Sequence, residues 1–305
     1  MKPSTNATNG LLCGDTDRVL IAKQRWKILS SVLLGHKLSD IGHNPVSVRR
    51  FSNFGLLETR CMLRENTEDF EWYEYISSYI PNFSMAIRHL SGKWKPEALQ
   101  GFNNTGNVCV WPSEEVMAYY CLNNLEKFCD KRVLELGGGM TCLAGIALAT
   151  HSEVRYVELT DGNEESVDNL SVIVHYNKEG KAFGDTTVAA RLLRWGSDDL
   201  TLNGREKFDF ILCADCMFFK EGRQALVDLM YSLLKPKGEV IMFAPRRGST
   251  FDDFISLASK AFSVHVKENY NNVVWDIHCK MQRKGKEVYD DNIHYPLYVS
   301  MKKIP

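Results

Sequence analysis

From about residue 107 onward, short apolar runs alternate regularly with longer amphipathic stretches. Apolar runs of this length, bounded by glycine, proline and polar residues, predict strands, and the stretches between them predict helices. Regular alternation of strands and helices is typical of parallel β-α-β units and therefore of an α/β fold. The pattern predicts seven strands, at residues 132–136, 153–160, 188–194, 208–214, 239–244, 262–268 and 295–301.

Polar residues and helix breakers indicate the helices and turns beside these strands. The amphipathic stretch 116–128 predicts a helix, and Ser113 and Glu114 suit its first turn. A second helix is predicted at 143–149, directly after the first strand. The sequence Lys-Pro-Lys-Gly at residues 235–238 predicts a turn that ends one helix and precedes the next strand.

The first hundred residues follow a different pattern. Residues 1–20 are polar, which predicts disorder. A helix is predicted at 22–34, short β-like runs follow in 46–64, and an aromatic stretch covers 72–75. We interpret residues 21–106 as an N-terminal accessory α/β module and residues 107–305 as the domain of alternating strands and helices.

Composition narrows the environment and the partners. The 37 basic and 38 acidic residues give a net charge of −1, so no overall field favours nucleic acid or an anionic membrane, and a charged partner must meet a local patch. No stretch approaches the roughly 18 apolar residues of a membrane span. Residues 1–14 lack the blocks of a signal peptide. Nine cysteines without framework spacing favour reduced thiols. We therefore expect an intracellular protein.

The first predicted strand runs through Glu135 directly into Gly137, Gly138 and Gly139. Glycines let the backbone approach a ligand closely, and the following helix directs N–H groups at what is bound. A dinucleotide fingerprint would need a third glycine at position 142, where the chain has Cys142. The spacing Glu-x-Gly-x-Gly is instead similar to the first motif of class I S-adenosylmethionine-dependent methyltransferases, which makes these four residues candidate cofactor contacts.

Three further residues are candidates for the same cofactor site. Asp161 ends the second strand, where a carboxylate can accept both ribose hydroxyls; Glu158 competes for this role, and Asp161 could instead cap the next helix. Trp195 follows the third strand and could line an adenine pocket or pack in the core. Trp111, before the first helix, could reach the cofactor or act as a hydrophobic staple.

The fourth strand ends in Ala214-Asp215, followed by Phe218 and Phe219. Methylation of an amine requires that the nucleophile be oriented and that water be excluded. A carboxylate can accept N–H bonds from the amine, and aromatic faces can hold an alkylammonium group; core packing is the alternative for at least one phenylalanine. Cys213 and Cys216 lack the second pair that a closed zinc site needs, so we predict no metal site.

Together these motifs resemble the protein-lysine methyltransferases of the seven-β-strand class, whose signature after the fourth strand is Asp-x-x-Tyr or Asp-x-x-Phe. The resemblance implies a Rossmann-like seven-stranded class I methyltransferase fold and trimethylation of one lysine of calmodulin by S-adenosylmethionine. It implies a monomer in the cytoplasm, with the nucleus as a second location. Thr141 departs from the family, many members of which have a further glycine there. By position, the resemblance implies cofactor contacts at Trp111, Gly137, Gly138, Gly139, Asp161, Trp195 and Ala214, and catalytic roles for Asp215 and Phe218, with Phe219 beside the substrate.

Calmodulin is acidic, so this interpretation requires local positive charge near the site. Arg246 and Arg247, just after the fifth strand, are the first candidates, and the basic run 280–286 is the second, unless it is only a solvated loop. A nucleic-acid amine methyltransferase would usually have two prolines where this chain has Cys216-Met217. Methylation of another protein or of a small-molecule amine, or a non-catalytic calmodulin-binding module, remain alternatives.

Overall fold

The strands form two sheets in the part of the chain that the computed structural model describes, residues 53–90, 110–196, 206–286 and 288–304. All of these residues belong to one compact unit. The predictions for residues 1–20 and for a helix at 22–34 lie outside the described ranges. The strands are β1 Glu58–Cys61, β2 Phe70–Ile76, β3 Ser84–Leu90, β4 Arg132–Leu136, β5 Tyr156–Asp161, β6 Thr187–Leu192, β7 Phe208–Ala214, β8 Leu234–Ala244, β9 Phe262–Lys267 and β10 Leu297–Lys303.

Helices cover the faces of the larger sheet and connect its strands, which is the α/β arrangement that the alternation predicts. They are α1 Pro112–Leu122, α2 Leu125–Phe128, α3 Leu143–His151, α4 Glu164–Glu179, α5 Arg223–Leu233, α6 Thr250–Ala258, α7 Asn272–Gln282 and α8 Asp291–His294. Among the described residues, no helix is both long enough and apolar enough to cross a membrane.

The larger sheet has seven strands in the order β6-β5-β4-β7-β8-β10-β9. Strand β4 pairs in parallel with β5 on one side and with β7 on the other, so the chain changes direction across the sheet at β4. In open parallel sheets the ligand crevice lies at the carboxyl ends of the strands at such a switch point. The sequence motifs after β4, β5 and β7 therefore meet at one edge.

Strands β4 and β7 have the predicted bounds, but three local predictions are wrong. The last strand, β10, is antiparallel to both β8 and β9. Residues 235–238 lie within β8 rather than in a turn, because a bulge separates the pairs Phe208–Leu234 and Phe210–Glu239. The helix predicted at 116–128 breaks at two asparagines, Asn123 and Asn124, whose side-chain amides donate to the carbonyls of Tyr119 and Tyr120.

The smaller sheet is antiparallel, in the order β1-β2-β3, and packs on α4. Asn177 of α4 exchanges two hydrogen bonds with the backbone of Ala86, at 3.2 and 2.8 Å. The ring of Trp72 stacks at 4.2 Å on Tyr176. These contacts fix the described part of the predicted accessory module to the helix that follows β5.

Gly145 lets α3 lie close to the large sheet. A Cβ atom at this position would collide with Leu159 and would lie 2.8 Å from Oε2 of Glu135 and 3.2 Å from a methyl carbon of Val157. In a dinucleotide fingerprint the third glycine, which this chain replaces with Cys142, allows the helix to pack closely on the strand. Gly145, three residues later, supplies that packing.

We expect Gly145→Ala to lower the free energy of unfolding by about 1–3 kcal/mol, because overpacking at a closed contact outweighs the better helix propensity of alanine. Gly180→Ala is the matched control, since an added Cβ there meets only atoms at 3.5 and 3.6 Å. Urea unfolding of both variants measures the difference. Equal stability of the two variants would contradict the close packing at Gly145.

Candidate active site

The glycine loop after β4 is tightly curled. Gly137 and Gly139 have φ angles of +63° and +61°, which favour glycine. The amide of Gly138 donates to the carbonyl of Thr160 at 3.2 Å, and the carbonyl of Gly138 accepts from the amide of Cys142 at 2.9 Å. A Cβ at Gly138 would collide with Cys142. The loop thus turns back to begin α3, and it can curl this tightly only because these positions carry no side chains.

Glu135 lies beneath this loop and is fully buried. Its Oε2 accepts the amide of Gly145 at 2.6 Å, in the first turn of α3. Burial, and secondarily the neighbouring Glu114 carboxylate, raises the pKa of Glu135 to about 8. The structure therefore places Glu135 as an anchor for the start of α3, from which it shapes the loop.

Glu114 is a residue of the site that the sequence analysis assigned only to a helix end. Its Oε1 accepts the hydroxyl of Thr141 and, at 3.3 Å, the amide of Leu143. Burial raises the pKa of Glu114 to about 7. Thr141 is the position where the chain departs from the resembling family, so the unusual threonine and Glu114 form one contact that fixes the loop. The unusual threonine at position 141 was the feature of the sequence that could have indicated this contact.

Asp161 joins the end of β5 to the glycine loop. Its Oδ2 accepts the amide of Gly139 and its Oδ1 accepts the amide of Asn163, both at 2.9 Å. The cap of α4 is Asn163, whose side chain accepts the amide of Ser166. Asp161 is therefore not the cap of that helix, and its carboxylate lies at the glycine loop.

Glu158, the competing candidate for the ribose, has a different environment. It is 1% exposed, accepts the Tyr156 hydroxyl at 2.7 Å, and lies 3.6 Å from the guanidinium of Arg191. Positions 158 and 161 also lie on opposite faces of β5, because side chains alternate along a strand. These contacts favour Asp161 for the cofactor.

Trp195 lies between two glycines. A Cβ at Gly137 would lie 3.1 Å from its indole and 2.9 Å from the sulfur of Cys216, and a Cβ at Gly222 would lie 3.3 Å from the indole. The ring of Phe219 adjoins the same position, since the added Cβ at Gly222 would be 2.5 Å from it. The structure thus brings the tryptophan after β6 to the glycine loop and to the segment after β7.

Asp215 directly follows Ala214 at the carboxyl end of β7 and has a left-handed backbone, with φ of +54°. Its amide donates to the carbonyl of Phe243 at 2.8 Å. Its Oδ2 accepts from the guanidinium of Arg247 at 2.5 Å. Burial raises the pKa of Asp215 to about 6, against the opposing effect of Arg247. Phe218, three residues further, is 45% exposed.

The two predicted docking arginines have different surroundings. Arg246 pairs loosely with Asp252 at 3.6 Å, where both side chains are largely exposed. Arg247 is only 27% exposed, and its guanidinium lies 5.5 Å from the centre of the Trp111 ring and contacts Asp215. Arg246 therefore remains a candidate for an acidic partner, whereas Arg247 and Trp111 lie within the site.

A parallel sheet with one antiparallel strand beside its edge, a glycine loop at the switch point and acidic residues at the carboxyl ends of β5 and β7 define a class I S-adenosylmethionine-dependent methyltransferase. Residues 96–261 match the model of a family described as lysine methyltransferase. The chain belongs to this lysine methyltransferase family.

Individual proteins are also similar to the chain. It is 39% identical over 206 residues to the calmodulin-lysine N-methyltransferase of Arabidopsis thaliana, covering 65% of this chain and 66% of that protein. It is 26% identical to a putative uncharacterized protein of Dictyostelium discoideum, covering 54% of this chain and 53% of that one. The chain thus spans between half and two thirds of these relatives.

Solved structures of other methyltransferases are more distant. The T. thermophilus 16S rRNA N2 G1207 methyltransferase, in complex with AdoMet and guanosine, is 18% identical with a TM-score of 0.46, over 76% of this chain and 50% of that one. A likeness of this degree carries no argument about the site.

Proposed function

We propose that this protein transfers methyl groups from S-adenosylmethionine to a lysine side chain of calmodulin, as far as the trimethylated product. The observation that carries the proposal is the Asp215-x-x-Phe218 segment: it carries a carboxylate and a 45% exposed aromatic ring, and its Cys216 sulfur contacts the carbonyl of Gly137 in the glycine loop at 3.7 Å. Membership of the lysine methyltransferase family supports the reaction class. The relative in Arabidopsis supports calmodulin as the substrate.

The residues around the glycine loop fit the cofactor. Gly137 and Gly139 have left-handed backbones that favour glycine, and side chains at Gly137 or Gly138 would collide with Cys216 or Cys142, so the tight loop that would hold the cofactor depends on these glycines. Asp161 would accept the ribose hydroxyls, Trp195 and Trp111 would line the adenine and methionine ends, and Ala214 would border the methyl group. When bound, S-adenosylmethionine supplies an electrophilic methyl group on a positively charged sulfur.

Asp215 and Phe218 would act on the lysine. The amine must be neutral and aligned when it attacks the methyl carbon. A carboxylate that accepts an N–H from the amine directs the lone pair of the nitrogen toward that carbon. The described residues give Oδ1 of Asp215 no hydrogen-bond partner, so this oxygen is the acceptor left for the amine. The exposed ring of Phe218 offers a cation–π surface to the methylated ammonium products, which lets the same lysine stay for further transfers.

The direct test is incubation of purified protein with labelled S-adenosylmethionine and either calmodulin or a cell extract, followed by mass spectrometry of the labelled product. We expect one calmodulin lysine to gain three methyl groups. If another protein or a small amine carries the label instead, that molecule is the substrate and calmodulin is not. Calorimetry tests for a non-catalytic module, which would bind calmodulin without binding the cofactor.

We expect Arg246→Glu to raise KM for calmodulin about threefold to tenfold, with cofactor affinity unchanged, because charge reversal at the rim opposes an acidic partner. The wild-type rate should also fall with added salt, which screens charges beyond about 10 Å at 0.1 M. Lys237→Glu serves as a control at the other end of β8. Normal kinetics in Arg246→Glu together with a salt-insensitive rate would place calmodulin docking elsewhere.

A further inference from the structure

Arg247 is held in an uncommon backbone conformation just after β8. Its φ angle is +46°, in the left-handed region that residues with a side chain seldom adopt. Asn292 of α8 fixes this turn through two hydrogen bonds. The amide of Arg247 donates to its backbone carbonyl at 2.7 Å, and the amide of Gly248 donates to its Oδ1 at 3.2 Å. The backbone at Arg247 is therefore set by a separate helix.

The side chain of Arg247 lies close to two site residues. The centre of the Trp111 ring, just before α1, lies 5.5 Å from the guanidinium. Oδ2 of Asp215 lies 2.5 Å from it. The Asp215 side chain is 10% exposed and Arg247 27%, so this pair is largely shielded from solvent. A shielded pair with fixed partners has a defined geometry, unlike a solvated surface ion pair.

Few other charges act on Asp215. The hydrogen bond with Cys213, burial and, to a smaller extent, the carboxylates of Asp215 and Asp161 raise the pKa of the adjacent Cys216 thiol, so it is a neutral neighbour. Among the described charged groups, Arg247 is thus the counterion that faces the Asp215 carboxylate. Without Arg247, no described charge would oppose the effect of burial, which raises the pKa of the shielded Asp215 carboxyl.

We propose that Arg247 is a positioning residue for the methyl-transfer reaction: it holds Oδ2 of Asp215, so that the carboxylate is ionised and its Oδ1 is directed at the lysine amine. This role rests on the proposed function and replaces, for Arg247, the predicted contact with an acidic partner. It distinguishes Arg247 from its neighbour Arg246, whose half-exposed side chain contacts, among the described residues, Asp252 and the ring of Phe251 and no residue of the site.

The test compares Arg247→Gln and Arg247→Lys with wild type. Arg155→Gln is the matched control, because Arg155 also pairs with an aspartate of left-handed backbone, Asp130, but at 3.8 Å and in solvent. We expect Arg247→Gln to lower kcat at pH 7 by about tenfold or more, because the carboxylate is no longer held in place. The variant should also move the acid limb of kcat/KM upward by about one pH unit, since an opposite charge at this distance lowers a carboxyl pKa by roughly 1–3 units. KM for calmodulin and cofactor affinity should change little. Arg247→Lys should retain most of the wild-type profile.

A second readout does not depend on turnover. Carbon-13 NMR of the aspartate carboxyls, with the Asp215 signal assigned by its loss in Asp215→Asn, should show that carboxyl titrating at higher pH in Arg247→Gln than in wild type. An unmoved titration would overturn the role of Arg247 whatever the activity. So would a rise in KM alone, which indicates docking, or a faster Arg247→Gln enzyme, which indicates that the arginine blocks Asp215. A wild-type protein that methylates nothing would instead end the proposed function.

Discussion

Asp215→Asn is expected to lower kcat about 10²–10³-fold while the affinity for S-adenosylmethionine stays nearly unchanged. The substitution keeps the size of the side chain and suits the left-handed backbone, because asparagine tolerates positive φ. It removes the negative charge that accepts N–H bonds from the amine, and losses of this kind in positioned acid–base groups are typically about 10²–10⁴-fold. Single-turnover methylation of calmodulin, together with calorimetric cofactor binding, measures both quantities.

The control for this variant is Asp130→Asn. Asp130 has the same left-handed backbone, with φ of +53°, and also pairs with an arginine, but it lies just before β4, at the amino end of that strand. It should therefore keep full activity. If Asp215→Asn turns over at the wild-type rate, the lysine channel must lie elsewhere and the assignment of Asp215 as the catalytic carboxylate is wrong.

Asp161→Ala is expected to weaken binding of S-adenosylmethionine by about tenfold to a hundredfold, because charge-assisted hydrogen bonds to a ribose contribute roughly 1.5–3 kcal/mol. A smaller loss of stability should accompany it, since the same carboxylate accepts the amides of Gly139 and Asn163. Calorimetric affinity and the thermal melting temperature are the paired measurements.

Glu158→Gln separates the two candidates for the ribose. Glu158 is held by Tyr156 and Arg191, so its replacement should lower the melting temperature with cofactor affinity intact. Loss of affinity in Glu158→Gln, combined with normal affinity in Asp161→Ala, would transfer the ribose contact to Glu158.

The strands of the large sheet were predictable because each is a short apolar run with clear breakers at its ends. Strand β8 begins at Leu234 rather than 239 for a reason that no local pattern contains. Its first residues, Lys-Pro-Lys-Gly, are typical of a turn, but the pairing of Leu234 with Phe208 of β7 holds them in the sheet. The antiparallel direction of β10 likewise depends on its partners and not on its own sequence.

The site residues also fall into those that the sequence could predict and those that depend on contacts in the folded chain. Glycines and carboxylates at strand ends were recognisable because their spacing follows from how a loop must meet a ligand. Glu114 and Gly145 were not, since an acid in a first helical turn and a glycine within a helix have common structural explanations. Their roles arise from contacts with Thr141 and with Leu159 of β5, which only the folded chain brings within reach.

Glu115, next to Glu114 in α1, decides where this protein can be shortened. Its carboxylate is 2% exposed and accepts the amides of Phe54, Leu56 and Leu57 at 2.6, 2.7 and 3.1 Å. Trimming the chain to residue 58 would strip all three donors from a buried acid in the helix that begins beside Trp111, a loss that buried charges tolerate poorly. The smallest fragment that retains an intact cofactor crevice therefore has to begin upstream of Phe54, well before the strand-and-helix pattern of the domain starts.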